Sequence, residues 1–107
     1  MKNKYNSYLI EYGYREKYSL EERVCSCNMS FLKLRDSLLR VARILKEDFE
    51  NSIYVVSVKS GMFGGNNAIV ICELEDGALR MISFAKEGMI NQNTCTKAMD
   101  KIEEILK

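Results

Sequence analysis

Three observations place this chain in the α+β class. Apolar residues recur at helical spacing through its first half. β-Branched runs take over between residues 52 and 85, and helical spacing returns at the end. The expected architecture is a three-stranded antiparallel sheet flanked by a long helix and a C-terminal helix, in the order α-β-β-β-α, preceded by a tyrosine-rich segment. Its 107 residues suit one domain covering residues 1–107.

The tyrosine-rich segment comes first, with Tyr5, Tyr8, Tyr12, Tyr14 and Tyr18 in close succession. Tyr5, Tyr8, Leu9 and Tyr12 have the i, i+3, i+4, i+7 spacing of a short helix, which Gly13 would stop. Tyr8, Ile10, Tyr12 and Tyr14 would equally line one face of an extended segment, and both readings stand. Ser19 followed by Glu22 is a capping-box pattern that predicts a helix opening at Leu20. From Phe31 a stripe of Phe31, Leu34, Leu38, Val41, Leu45 and Phe49 predicts an amphipathic helix over about residues 30–50. Residues 20–29 either continue into it or are separated from it by a kink near Asn28, a poor helix former.

The period then changes. Residues 52–59 (SIYVVSVK), 67–75 (NAIVICELE) and 78–85 (ALRMISFA) are rich in β-branched and aromatic side chains and read as strands. Asp76-Gly77 between the last two is a two-residue hairpin signal. It sets Glu75 opposite Ala78, so that Leu74, Cys72 and Val70 face the same way as Leu79, Met81 and Ser83. The other face then carries Glu73 with Arg80, Ile71 with Ile82 and Ile69 with Phe84. The opposite charges of Glu73 and Arg80 support that register. Asn93 or Thr94 caps a last helix whose stripe is Cys95, Ala98, Met99, Ile102 and Ile105.

Composition narrows the function classes. The chain is 47% hydrophobic and 29% charged, with a net charge of +1, so no global field draws nucleic acid or an anionic membrane. It has no histidine, the commonest general base and metal ligand near neutral pH. No apolar run approaches the roughly 18 residues of a membrane span. The first 18 residues lack the apolar core and cleavage site of a secretory signal. With Cys72 and Cys95 on apolar stripes, the thiols read as reduced and the location as cytoplasmic.

The motifs carry little chemistry. The glycine-rich stretch KSGMFGGNN at residues 59–67 joins two strands and lacks the Gly-Lys-Ser/Thr ending of a phosphate loop. Its Met62 and Phe63 either fold back onto the sheet or serve as an apolar finger for a partner. Cys25-Ser-Cys27 is spaced by one residue, too tightly for the usual structural zinc pair, and no other ligand set accompanies it. A catalytic cysteine would need a base, and none is marked. Lys33, Arg35, Arg40, Arg43 and Lys46 are offset by Asp36, Glu47, Asp48 and Glu50, the pattern of a solvated helix face. The order helix, three strands, helix is similar to the double-stranded-RNA-binding domain, by topology alone. That family opens its last helix with a basic cluster, where NTCTKAMDK offers only Lys97 and Lys101. No family is assigned on it.

The expectation is a non-enzymatic protein-interaction module without cofactor or metal, of the size and asparagine-, lysine- and isoleucine-rich composition of a phage- or mobile-element-encoded inhibitor or adaptor. It binds a protein partner or a second copy of itself. The partner-binding candidates are Met62, Phe63, Ile69, Ile71, Ile82 and Phe84. The last four form an apolar patch that something must cover: the tyrosine-rich segment, a second copy, or a foreign protein. The alternative is a nucleic-acid-binding module that stacks bases on the tyrosines beside Lys2, Lys4, Arg15 and Lys17.

Overall fold

The computed structural model describes residues 5–59, 67–86 and 93–107. The elements, in chain order, are α1 (Asn6–Glu11), β1 (Ser19–Ser26), α2 (Phe31–Leu38), β2 (Arg43–Asp48), β3 (Ile53–Lys59), β4 (Asn67–Glu75), β5 (Ala78–Ala85) and α3 (Thr94–Ile105). The strands form one sheet in the order β1-β5-β4-β3-β2, antiparallel at every step. The α+β class is retained, but the sheet has five strands and not three, and the long helix does not exist.

Two segments expected to be helical are strands. Residues 19–26 pair along their whole length with β5, Ser19 opposite Ala85 and Ser26 opposite Ala78. Ser19 and Glu22 therefore cap nothing. Beyond that pairing, side chains tie this edge strand to α3: Thr96 Oγ1 donates to Glu21 Oε1 at 2.6 Å, and Arg23 Nη1 donates to Asp100 at 2.7 Å and Glu103 at 3.1 Å. The predicted helix over 30–50 keeps only its first two turns. Ser30 caps it, its hydroxyl accepting from the Lys33 N–H at 3.1 Å. The chain turns at Leu39–Ala42, and Arg43–Asp48 pairs with β3. A register shift between Ile44 and Lys46 marks a bulge at Leu45. Ile44 packs on one side of the sheet and Leu45 on the other. A helix would have buried one stripe here; the strand uses both faces and also pairs its backbone with β3.

The β4–β5 hairpin has the expected bounds and register. Asp76 (φ 51°) and Gly77 (φ 76°) both lie in the left-handed region, as a primed two-residue turn requires. The Gly77 carbonyl accepts from Cys27 N–H at 2.9 Å, and a Cβ on Gly77 would come within 3.2 Å of Asn28 Oδ1. The turn thus fixes the exit of β1.

Helices cover both faces. α2 and α3 lie on the face of Tyr54, Val56, Val70, Cys72, Leu79 and Met81, contributing Leu34, Leu38, Cys95, Ala98, Met99 and Ile102. Burial among them pushes the Cys72 thiol far above its ordinary pKa. α1 lies on the opposite face. No described helix is long and apolar enough to cross a membrane.

Candidate functional site

The patch expected to meet a partner is occupied by the chain itself. Ile71, Ile82 and Phe84 are buried, and Ile69 is half-buried, in a cluster completed by Tyr5 and Leu9 of the α1 segment and by Ile53 and Val55. Tyr14 meets Phe84 edge-on with ring centroids 5.5 Å apart, and Tyr18 stacks on it at 6.5 Å. Ile71, Ile82 and Phe84 are therefore core, with Ile69 at its margin, and the tyrosine-rich segment is the expected cover that the structure places there. Met62 and Phe63 lie outside the described residues.

Of the two readings of the tyrosine-rich segment, the structure takes the helix, over Asn6–Glu11, and Gly13 ends it with φ 88°. Its rings lie on the sheet and its hydroxyls reach carboxylates. Tyr5 OH donates to Glu73 Oε1 at 2.5 Å in a buried contact, and Tyr8 OH donates to Asp48 Oδ2 at 2.5 Å. Burial, reinforced by the acceptor carboxylate, raises both phenols: Tyr8 is pushed up to about 12 and Tyr5 is raised further. Lys46 at the sheet edge donates to Glu11 at 3.0 Å and sits 5.5 Å from the Tyr8 ring centroid, a further tie to α1.

Asp48 links this layer to an exposed aromatic feature. Besides the Tyr8 hydroxyl it accepts the backbone N–H of Asn51 at 3.2 Å and its side-chain amide at 2.9 Å. These bonds, those of Asn51 first, hold its carboxyl below the usual range. They lock the β2–β3 turn, which Ser52 leaves with φ 56°. The turn presents Phe49, which is 61% exposed. Phe31 meets the Phe49 ring edge-on at 5.2 Å and stacks on Tyr54 at 4.0 Å and 6°. The Tyr54 hydroxyl donates to the Phe31 carbonyl at 2.6 Å, closing the ladder. Leu32, beside Phe31 on α2, is 63% exposed. Arg35 and Glu47 join α2 to β2 by an ion pair of 2.9 Å.

The sequence reading placed Phe49 on a buried helical stripe and so passed over it. The signal that would have found it is the composition of residues 47–52, EDFENS, whose Asp, Asn and Ser are turn formers between two apolar runs. Of the groups with raised pKa, Tyr5, Tyr54 and Cys72 are buried in packing and Tyr8 and Tyr12 partly so, and no cluster of three or more metal-ligating side chains occurs among the described residues. Comparisons with protein-family models, with curated proteins and with solved structures find no match for the chain.

Proposed function

We propose that this chain is a non-enzymatic protein-binding module that docks its partner through the aromatic turn of Phe49, with Phe31 and Leu32 beside it. The observation that carries the reading is a large aromatic side chain held in the open by a rigid mount. An exposed phenylalanine on a fixed turn loses little conformational freedom on binding, and buried aromatic anchors dominate interface energetics. The mount is built for order: the Asp48–Asn51 bonds fix the turn, and the Phe31–Tyr54 stack ties the ring beneath it to the core. Cys25, Cys27 and Cys72 form no disulfide among the described residues, which supports action in a reducing compartment such as the cytosol. The tyrosine rings lie against the sheet, which takes away the stacking platform that a single-strand nucleic-acid reading needs.

Affinity capture from the native host with the wild-type chain and with the Phe49→Ser/Leu32→Ser variant, compared by quantitative mass spectrometry, tests the proposal. Both side chains are largely exposed, so the variant should lose no more than about 1 kcal/mol of stability. A protein retained by the wild type and lost from the folded variant is the expected result. Sedimentation velocity of both forms asks whether that protein is a second copy of the chain. Identical capture and identical sedimentation would sink the reading.

A further inference from the structure

α1 covers only part of its face of the sheet. Beyond it, at the end formed by β2, β3 and β4, a cleft of about 450 Å³ opens between the sheet and the turn that leads into β2. Arg43 stands opposite Ser57, and Lys59 opposite Asn67; Ser57 and Lys59 are two residues apart on one strand. All four side chains therefore rise on the same side of the sheet. Arg40 lines the cleft from the turn, and Leu39, Val41 and Leu45 give it an apolar wall.

Its charge is one-sided. Among the described residues no carboxylate lines the cleft, and Arg40, Arg43 and Lys59 make no ion pair. Two cations on the elements beside the cleft do otherwise: Arg35 is paired with Glu47 and Lys46 with Glu11. The neutral groups are donors too. Asn67 Nδ2 donates to Ser57 Oγ at 3.3 Å, which leaves the hydroxyl's own proton to point at a ligand oxygen.

We propose that this cleft binds a small organic phosphate, its phosphoryl oxygens held by Arg43, Lys59 and Ser57 and its organic body lying along the Leu39–Val41 wall beside Arg40. Guanidinium and ammonium groups with a hydroxyl donor form the recurrent set for phosphoryl recognition. Arg40, Arg43 and Lys59 converge on one concavity of a chain of net charge +1, which fits a compact anion and not the long charged track of a nucleic-acid backbone.

The test follows the amide resonances of the isotope-labelled full chain during titration with phenyl phosphate, inorganic phosphate, phenol and a short single-stranded oligonucleotide. Phenyl phosphate should give saturable shifts at residues 40–43, 57, 59 and 67, bind more tightly than inorganic phosphate or phenol, and weaken as salt is added. Arg43→Gln should reduce its affinity about tenfold and Arg43→Gln/Lys59→Gln more, with Arg43→Lys recovering part of the loss. These side chains are exposed, so thermal unfolding of the variants should match the wild type. The proposal fails if those amides do not shift saturably, if phenol binds as well as phenyl phosphate, or if the double variant keeps wild-type affinity. It also fails, in favour of nucleic acid, if the oligonucleotide binds more tightly with a steep salt dependence and shifts a surface well beyond the cleft.

Discussion

The two faces of the sheet are covered by different means. On one, α2 and α3 lay aliphatic and thiol side chains over a continuous apolar floor. On the other, the six residues of α1 and the tyrosines around it form a thinner cover, fastened by Tyr5–Glu73, Tyr8–Asp48 and Lys46–Glu11. A helix that short has no stability of its own in water and persists only while docked. Both covers add oriented polar bonds, Tyr54 to the Phe31 carbonyl and Arg23 to Asp100 and Glu103 on the first, but on the second they fasten a smaller apolar area. The second, which holds Tyr5, Tyr8 and Tyr12, should be the face that opens first and the one that answers more strongly to pH.

The largest test of this contrast compares one buried residue from each cover. Ile102→Ala, within the two-helix layer, should cost about 3–4 kcal/mol, measured by denaturant unfolding. Leu9→Ala, equally buried under α1, should cost about 2–3 kcal/mol and should also free the α1 amides for hydrogen exchange while α3 stays protected. Equal losses with α1 protection unchanged would break the distinction.

Alkaline titration sharpens it. Tyr5, Tyr8 and Tyr12 are raised above the ordinary phenol value, chiefly by burial, and so is Tyr54 under α2. Groups raised in the folded state stabilise it fully below their unfolded pKa, and that contribution drains away as pH climbs through the folded one. Stability should therefore decline from about pH 10 upward, with native tyrosinate absorbance lagging behind that of the unfolded chain. Native tyrosines that all titrate at the ordinary midpoint would contradict the hydroxyl–carboxylate bonds.

The smallest effect belongs to Tyr8→Phe, which keeps the ring and removes one hydrogen bond, for about 1 kcal/mol near neutral pH. Asp48 is held below the usual carboxylate range, so what it contributes is present above that range and lost as pH falls through its folded value. The gap between wild type and Tyr8→Phe should narrow in acid as Asp48 takes up a proton. A gap that is constant with pH would mean that the hydroxyl does not act through Asp48.

Where the backbone pairs locally, the sequence was readable. Residues 67–75 and 78–85 and their register follow from alternation and from Asp76-Gly77, because a two-residue turn leaves the pairing little choice. Residues 52–59 and the last helix were likewise visible in their period. β1 was not: Leu20-Glu21-Glu22-Arg23 reads as the start of a helix until α3 supplies partners for Glu21 and Arg23 from more than 70 residues away. β2 was hidden by its bulge. Val41, Leu45 and Phe49 keep helical spacing, and only the pairing with β3 shows Ile44 and Leu45 on opposite faces. The same error concealed Phe49, and with it the candidate site. The apolar second face was legible as a patch needing a cover, and the tyrosine-rich segment, one of the three covers expected, lies over it.

The strand order has a consequence for how the chain comes together during synthesis. β1 lies at one edge and β2, the next strand in sequence, at the other, so β1 has no neighbour until β5 exists. The contact between Ser19 and Ala85 closes a separation of 66 residues. The β2–β5 meander forms from adjacent segments, whereas β1 must wait until the chain has been made through residue 85. A ribosome releasing this chain from its N-terminal side would thus hold β1 unpaired until β5 has emerged, and the sheet would be completed last by the first of its five strands to be made.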